Sequence, residues 1–288
     1  MTTGPSIVLV ISDLEYGGAQ RQVIELANQL AVRGAPVALV SLTDVVPLSS
    51  RLDARVDFRV CAKRAKYDVS IAWRLARILR ERLAEVAHGF LFDADVAVRL
   101  AGALARTPIV LGSERNSDYT LARPKRWVYR LTRGLRHGCV ANSWAGARFN
   151  AALLGHPIEH YRVVYNAVDT ERFAPRDPAT AKRALGLDPE RQYVGMVGSF
   201  KKQKNHQQMV RAAAALADRF PRHDFAIAGD VLEGGRRDSY AIKEEVIGGI
   251  NEAGLQERFK LLGNVDAVEV FYNACAVTVL PSYYEGLP

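Results

Sequence analysis

Short runs of branched apolar residues alternate with amphipathic stretches along almost the whole of this 288-residue chain. That alternation leaves little freedom. It is the pattern of βα units feeding a parallel sheet, whose strands are buried on both faces while each helix buries one. Residues 7–12 read as the first strand, followed by a loop over 13–18 and a helix over 19–33 with Val23, Leu26, Ala27 and Leu30 on one side. Gly34 stops that helix, and 37–42 is the second strand. Further units follow: a helix over 71–86 with Leu75, Ile78, Leu79 and Leu83 inward, a strand at 86–90, and a helix over 96–105. A strand at 109–112, a helix over 125–135 and strands at 138–142 and 162–165 complete this part.

The pattern then lapses. Residues 167–178 carry Pro175 and Pro178 among charges and have no apolar period, as a hinge would. It resumes with strands at 193–197, 224–229, 259–262 and 277–280, and helices at 206–219, 242–252 and 268–274. The fold class expected is α/β, with two Rossmann-like domains over 1–170 and 171–288. No helix follows residue 280, so the second domain is expected to be incomplete and the chain a fragment.

Composition narrows the class. With 24% charged and 49% apolar residues, the chain can bury real cores, which excludes disorder. Cys61, Cys139 and Cys275 are widely spaced, with no CxxC partner and no His at ligand spacing. Neither a disulfide framework nor a metal site is expected, and no cofactor is assigned. No leader is read in the first residues, and no run of about twenty apolar residues is present. A cytoplasmic protein is expected, or one peripheral on the inner face of the cell membrane. The net charge of +8 favours anionic partners. No nucleic-acid-binding motif accompanies it, so nucleic acid is not expected.

Ligands of open α/β sheets bind beyond the C-terminal strand ends, which singles out three loops. Gly17 and Gly18 form a Gly-Gly turn before the first helix, where helix amides favour an anion. A plain structural turn is the competing reading, and GxGxxG is absent. The second loop, VGSFKKQKNH from Val197 to His206, sets Lys201, Lys202 and Lys204 beside a helix start, as a diphosphate clamp or a solvated basic loop would. The third places Glu285 and Gly286 after the last strand, where the acid meets a polar ligand or stabilises a helix start.

Together these loops carry a resemblance. GGAQRQVIELANQLAVRGAPVALV, VVYNAVDTERFAP, VGSFKKQKNH and LLGNVDAVEVFYNACAVTVLPSYYEG, in that order, resemble the retaining glycosyltransferases of family 4. That family has the GT-B fold, two Rossmann-like domains facing a cleft. The resemblance implies a nucleotide-sugar donor and a glycan or lipid-linked acceptor, probed at the sites that follow, without a metal. Gly17 and Gly18 would line the cleft. Lys204 would neutralise the leaving diphosphate, with Gly198, Ser199, Lys201 and Asn205 around it. The base would lie against Gly263, Asn264 and Val265. Glu285 would be the first Glu of E-x7-E, beside Gly286, and contact the transferred sugar; the second would fall beyond Pro288. Arg115 and Asn116, after a strand, would touch the acceptor, with Asn166 at the interdomain phrase. A hexosyltransferase of bacterial polysaccharide biosynthesis is implied, inactive or weak as this chain alone.

The chain departs from the family at two positions. Ser199 stands where an Arg is frequent, leaving Lys201 or Lys202 to supply charge without a guanidinium fork. In the 86–90 segment His88 matches the first of two histidines and Phe90 replaces the other. His88 is a catalytic candidate and equally a buried structural histidine. A sugar-nucleotide epimerase of the same fold, or a non-catalytic nucleotide-sugar or membrane-binding subunit, are the competing functions.

Two basic stretches remain. Arg123, Lys125, Arg126, Arg130, Arg133 and Arg136 surround Trp127 and Tyr129 with no acid among them, and Arg74, Arg77, Arg80 and Arg82 stud an earlier helix. Either suits an anionic membrane surface or a solvated helix face.

Overall fold

A computed structural model describes residues 4–65, 68–115, 122–233 and 236–287. The chain divides into two compact units, 1–167 with 285–287, and 168–284. The first holds a seven-stranded parallel sheet in the order β3-β2-β1-β4-β5-β6-β7. Its strands are β1 (Ile7–Ile11), β2 (Val37–Ser41), β3 (Asp57–Val60), β4 (Val86–Phe90), β5 (Ile109–Glu114), β6 (Gly138–Ala141) and β7 (Tyr161–Val163). The helices are α1 (Gly18–Val32), α2 (Ser70–Glu81), α3 (Phe92–Ala105), α4 (Arg123–Leu131) and α5 (Trp144–Leu154).

Side chains alternate across β1, and each set meets its own helix layer. Val8 and Val10 join Leu75, Leu79 and Val98 on the α2–α3 face. Leu9 and Ile11 join Val23, Ile24 and Ala27 on the α1 face. Gly34 closes α1 at φ 84, where its N–H reaches the Ala31 carbonyl at 3.0 Å. α5 is capped by Ser143 Oγ, which accepts from Gly146 N at 3.0 Å; such a cap contributes about 1 kcal/mol. α3 lies so close to β4 that a Cβ on Gly89 would sit 2.6 Å from Asp95 Cα.

The sequence reading of α2 is corrected. The helix ends at Glu81 rather than 86, because Leu83 takes the left-handed conformation at φ 48 and Ala84 N closes on the Leu79 carbonyl. Leu83, expected inward, is 81% exposed. The strand β3 and the helix α5 lie where no element was read.

The second unit has a four-stranded parallel sheet, β10-β9-β8-β11. It comprises α6 (Pro178–Ala184), β8 (Gln192–Val197), α7 (His206–Leu216), β9 (His223–Ala228), α8 (Arg236–Glu252), β10 (Phe259–Leu261), α9 (Val268–Ala274) and β11 (Val277–Thr278). Met196, Phe225 and Ile227 pack on α7 and α8 through Met209, Val210 and Val246. Tyr193, Ala226 and Phe271 form the core of the opposite face. The hinge reading over 167–178 ends on α6, which Asp177 caps through Thr180 N at 2.8 Å. The last strand, expected buried, has both residues exposed because it pairs only with β8. Among the described residues no helix is long and apolar enough to cross a membrane.

Candidate functional site

The C-terminal ends of β8, β9 and β10 meet at three glycines. Gly229 N donates to the Gly263 carbonyl at 2.7 Å, and Gly198 N to the Ala228 carbonyl at 2.9 Å. Gly229 has φ 143, and a Cβ there would lie 2.2 Å from the Gly198 carbonyl oxygen. Only glycine fits such a backbone contact. The turn at Gly263 leads into Asn264, exposed, and Val265, half-buried. Sequence reading missed Gly229, because an isolated glycine after a strand is a weak signal.

The loop after β8 is built around a buried aromatic pair. Phe200 is 1% exposed and stacks on His206 with centroids 4.7 Å apart. His206 opens α7 and bonds the Gly198 carbonyl through Nε2 at 3.1 Å. Burial lowers its pKa, so it is neutral near pH 7. Between these anchors Ser199 is half-buried, Lys201 and Lys202 are exposed, and Lys204 is half-buried. The Lys204 stem passes 3.4 Å from where a Gly198 Cβ would be. Asn205 precedes α7 at φ 53, and neither its side chain nor any first-turn acid caps the helix. Gln208 N already donates to the Asn205 carbonyl at 3.0 Å, and the start of this 11-residue helix lies beside lysines, a setting that favours an anion.

This loop is tied to the segment before Glu285. Asn205 Nδ2 donates to the Pro281 carbonyl at 3.2 Å, Gln203 Nε2 to the Tyr284 carbonyl at 2.7 Å, and Tyr283 N to the Gln203 carbonyl at 2.9 Å. The structure therefore brings Gly198–Asn205 and 281–284 together, with Gly263 at the end of β10, two strands from β8 and linked to it through Gly229. Glu285 follows directly and Gly286 is buried, its carbonyl accepting from Ser143 Oγ at 2.6 Å. Gln203 was absent from the sequence reading; no spacing rule links it to a segment eighty positions on.

In the first unit the residues fall in two places. Gly17 is the extended N-cap of α1, at φ −163, and Gly18 has open space around it, so neither position demands glycine by its backbone. Gln20 Nε2 bonds Asp13 Oδ1 at 2.8 Å across this turn. Arg115 directly follows β5, donating from Nη1 to Asn166 Oδ1 at 2.8 Å and from Nε to Ser113 Oγ at 3.1 Å. Its guanidinium sits 5.3 Å from the Phe90 ring centre. Asn116 lies outside the described residues.

His88 sits in mid-strand, paired with Leu9 and Leu111, and not at the strand's C-terminal rim. Its ring is 4.3 Å from that of Phe90. Burial, then the nearby Arg115 charge, lowers its pKa to about 3. It is 7% exposed and lines a groove of about 480 Å³ with Leu9, Leu111 and Val140, on the α1 side of the sheet. A neutral imidazole with that pKa is a poor base.

The opposite face of the same strands holds a buried ionic cluster that sequence reading did not see. Asp95 pairs with Arg99, one helical turn on, and with Arg136 at 3.5 Å; Arg136 lies 3.7 Å from Glu114. Arg136 Nη2 also reaches His156 Nδ1 at 2.8 Å. Burial, reinforced by the Asp95 charge, raises the Glu114 pKa to about 7.

Two Rossmann-like parallel-sheet units, the second with a lysine-bearing loop over a glycine-lined strand end, are the fold of GT-B proteins. The chain belongs to glycosyltransferase family 4: the family model of that description matches residues 16–172, and the model for group 1 glycosyl transferases matches 177–288. It is similar to the lipopolysaccharide core biosynthesis mannosyltransferase LpsB of Rhizobium meliloti, 32% identical over 43% of this chain and 34% of LpsB. It is also similar to an α-1,4-N-acetyl-D-galactosaminyltransferase acting on an undecaprenol-linked glycan from Campylobacter jejuni, 24% identical over 98% of this chain and 74% of that one. The matched regions span about a third of the first curated relatives, 34% and 32% of their lengths. Among solved structures, Anabaena Alr3699/HepE in complex with UDP-glucose superposes with a TM-score of 0.80 at 19% identity, covering 97% of this chain and 74% of that one. Sucrose-phosphate synthase of Thermosynechococcus elongatus gives 0.76 at 17%, covering 98% and 77%.

Proposed function

We propose that the chain transfers a hexose, with retention at the sugar carbon, from a nucleotide-diphosphate sugar to a glycan or lipid-linked acceptor in polysaccharide biosynthesis. The observation that carries this reading is the joining of the Lys204 loop and the uncapped α7 start to the 281–284 segment through Gln203 and Asn205. A diphosphate seated there meets the Lys204 ammonium and the first-turn amides. Both strengthen as negative charge develops on the leaving group, which is the condition for accelerating the step and not only binding. Gly198, Ser199 and Lys201 complete the phosphate contacts, and Gly263, Asn264 and Val265 carry the base. Glu285 and Gly286 meet the transferred sugar, and no metal is assigned a role.

Arg115 is held by Asn166 and Ser113 for the acceptor, with Gly17 and Gly18 at the α1 start. His88 serves as a neutral packing group, not a proton carrier. The names of similar proteins support the reading: HepE was solved with UDP-glucose, and LpsB is a mannosyltransferase.

Calorimetric titration of UDP, GDP and their common sugars tests it, with Lys204→Ala as control. Binding of one nucleotide class, weakened about tenfold or more in the variant, is expected. Undiminished binding in Lys204→Ala would remove the assignment of this loop.

A further inference from the structure

Each of the glycines at the ends of β8, β9 and β10 is followed by a polar residue: Ser199, Asp230 and Asn264. Asp230 alone carries a charge, and its sign is that of the diphosphate assigned to the neighbouring loop. Two bonds fix this carboxylate, and both fall on one oxygen. Oδ1 accepts from Lys243 Nζ at 2.7 Å and from Val231 N at 2.8 Å. Oδ2 is turned to the third loop, 3.6 Å from where a Gly263 Cβ would be. The Asp230 carbonyl accepts from Phe200 N at 3.2 Å, so its backbone is fastened to the lysine loop as well. Helix α8 supports both loops: Ser239 Oγ donates to the Phe200 carbonyl at 2.6 Å and accepts from Leu232 N at 3.2 Å. Lys243 lies one helical turn beyond Ser239, with its ammonium 5.7 Å from the Phe200 ring centre. Burial opposes the charge on Asp230, but the Lys243 bond holds its carboxyl below the usual carboxylate range.

An ion pair whose side chains are 31% and 27% exposed adds little to stability. Its position says more. The strand order β10-β9-β8 sets Asp230, at the end of β9, between the loop proposed for the diphosphate and the turn proposed for the base. In any nucleotide the ribose links those two parts. The order of strand, loop, helix and adjoining parallel strand is also that of dinucleotide-binding sheets, where an acid beyond the Gly-rich loop bonds a ribose hydroxyl. Lys243 offsets the repulsion between this carboxylate and a nearby diphosphate, and it does so through Oδ1.

We propose that Asp230, held by Lys243, accepts a hydrogen bond from a ribose hydroxyl of the donor and so selects ribonucleotides over their deoxy forms. The assignment rests on the reading of the neighbouring loop as the diphosphate site. UDP and GDP carry the same ribose, so it applies to either nucleotide class.

Calorimetric titration of UDP and GDP against their 2′-deoxy and 3′-deoxy forms tests it, with inorganic pyrophosphate as the probe of the phosphate loop alone. The parent is expected to bind one ribonucleotide about tenfold or more tighter than its 2′- or its 3′-deoxy form. Asp230→Ala should cut that ratio to about twofold or less while binding pyrophosphate at least as well as the parent. Asp230→Asn, a neutral acceptor, should leave a ratio of about threefold. Equal binding of ribo and deoxy forms by the parent overturns the proposal and leaves the phosphate loop standing; that comparison needs no variant. A full ratio retained in Asp230→Ala overturns it too. If pyrophosphate binding falls in Asp230→Ala, the residue serves the shape of the loops and the proposal fails. A parent that binds no nucleotide at all overturns the loop reading and this assignment together.

Discussion

Asn205 Nδ2 lies 3.2 Å from the carbonyl oxygen of Pro281 while its own backbone is left-handed, at φ 53. One residue thus turns the chain into α7 and fastens the phosphate-type loop to the segment before Glu285. The two tasks separate by substitution. Asn205→Gly keeps the turn and loses the hydrogen bond, costing about 1 kcal/mol of stability. Asn205→Ala loses the bond and strains the turn, costing about 2 kcal/mol. Donor affinity should fall in both to a similar degree, because it depends on the fastening. Urea unfolding and calorimetry on the pair check this; equal stabilities would remove the strain argument.

Gly229 admits no side chain. Gly229→Ala would force the β8 and β9 loops apart, at a cost of about 3 kcal/mol or more from strain and overpacking combined. Nucleotide binding should be lost even below the melting transition. A variant that melts with the parent and binds nucleotide normally would contradict the contact.

Glu114 should make stability depend on pH in an unusual direction. Its pKa is raised from 4.5 to about 7 in the folded chain. Between those values the folded state holds the proton that the unfolded state has released. Stability is therefore highest at the acid end of the window and falls as pH rises from about 4.5 to 7, by on the order of 3 kcal/mol. Glu114→Gln should flatten that slope and be more stable than the parent above about pH 7. Parallel urea-unfolding profiles for parent and variant across the window would count against it.

His88, held neutral by burial, should contribute no ionisation to the transfer reaction between about pH 5 and 8. His88→Asn is expected to alter the level of activity without altering the shape of the pH profile. A limb near 6.5 present in the parent and missing from the variant would restore the histidine to acid–base chemistry.

Much of the scaffold was legible because burial imposes period. β1, β2, β4, β8 and α9 lie within a residue or so of their expected spans, since branched runs and amphipathic turns have few other uses. The α2 stop was not legible. Leu83 takes a conformation that its side chain disfavours, and the apolar period runs on through it. β3 escaped because Asp57–Val60 is a half-exposed edge with charges alternating along it. The ionic cluster escaped because Asp95, Glu114 and Arg136 sit on a helix, a strand and the extended connection before β6, and only the packing of α3 on the sheet joins them. At the site, the lysine loop was visible as a motif, whereas its bonds to residues 281–284 arise from pairing of β8 with β11.

The three glycines over β8, β9 and β10 also set how this chain can be altered. With Gly198, Gly229 and Gly263 touching backbone to backbone, the loops they begin share one foundation and cannot be shifted singly. Redesign of what is recognised there has to work through the side chains that follow, Ser199 to Lys204, Asp230 and Asn264. Inserting residues at the strand ends would shift all three loops at once.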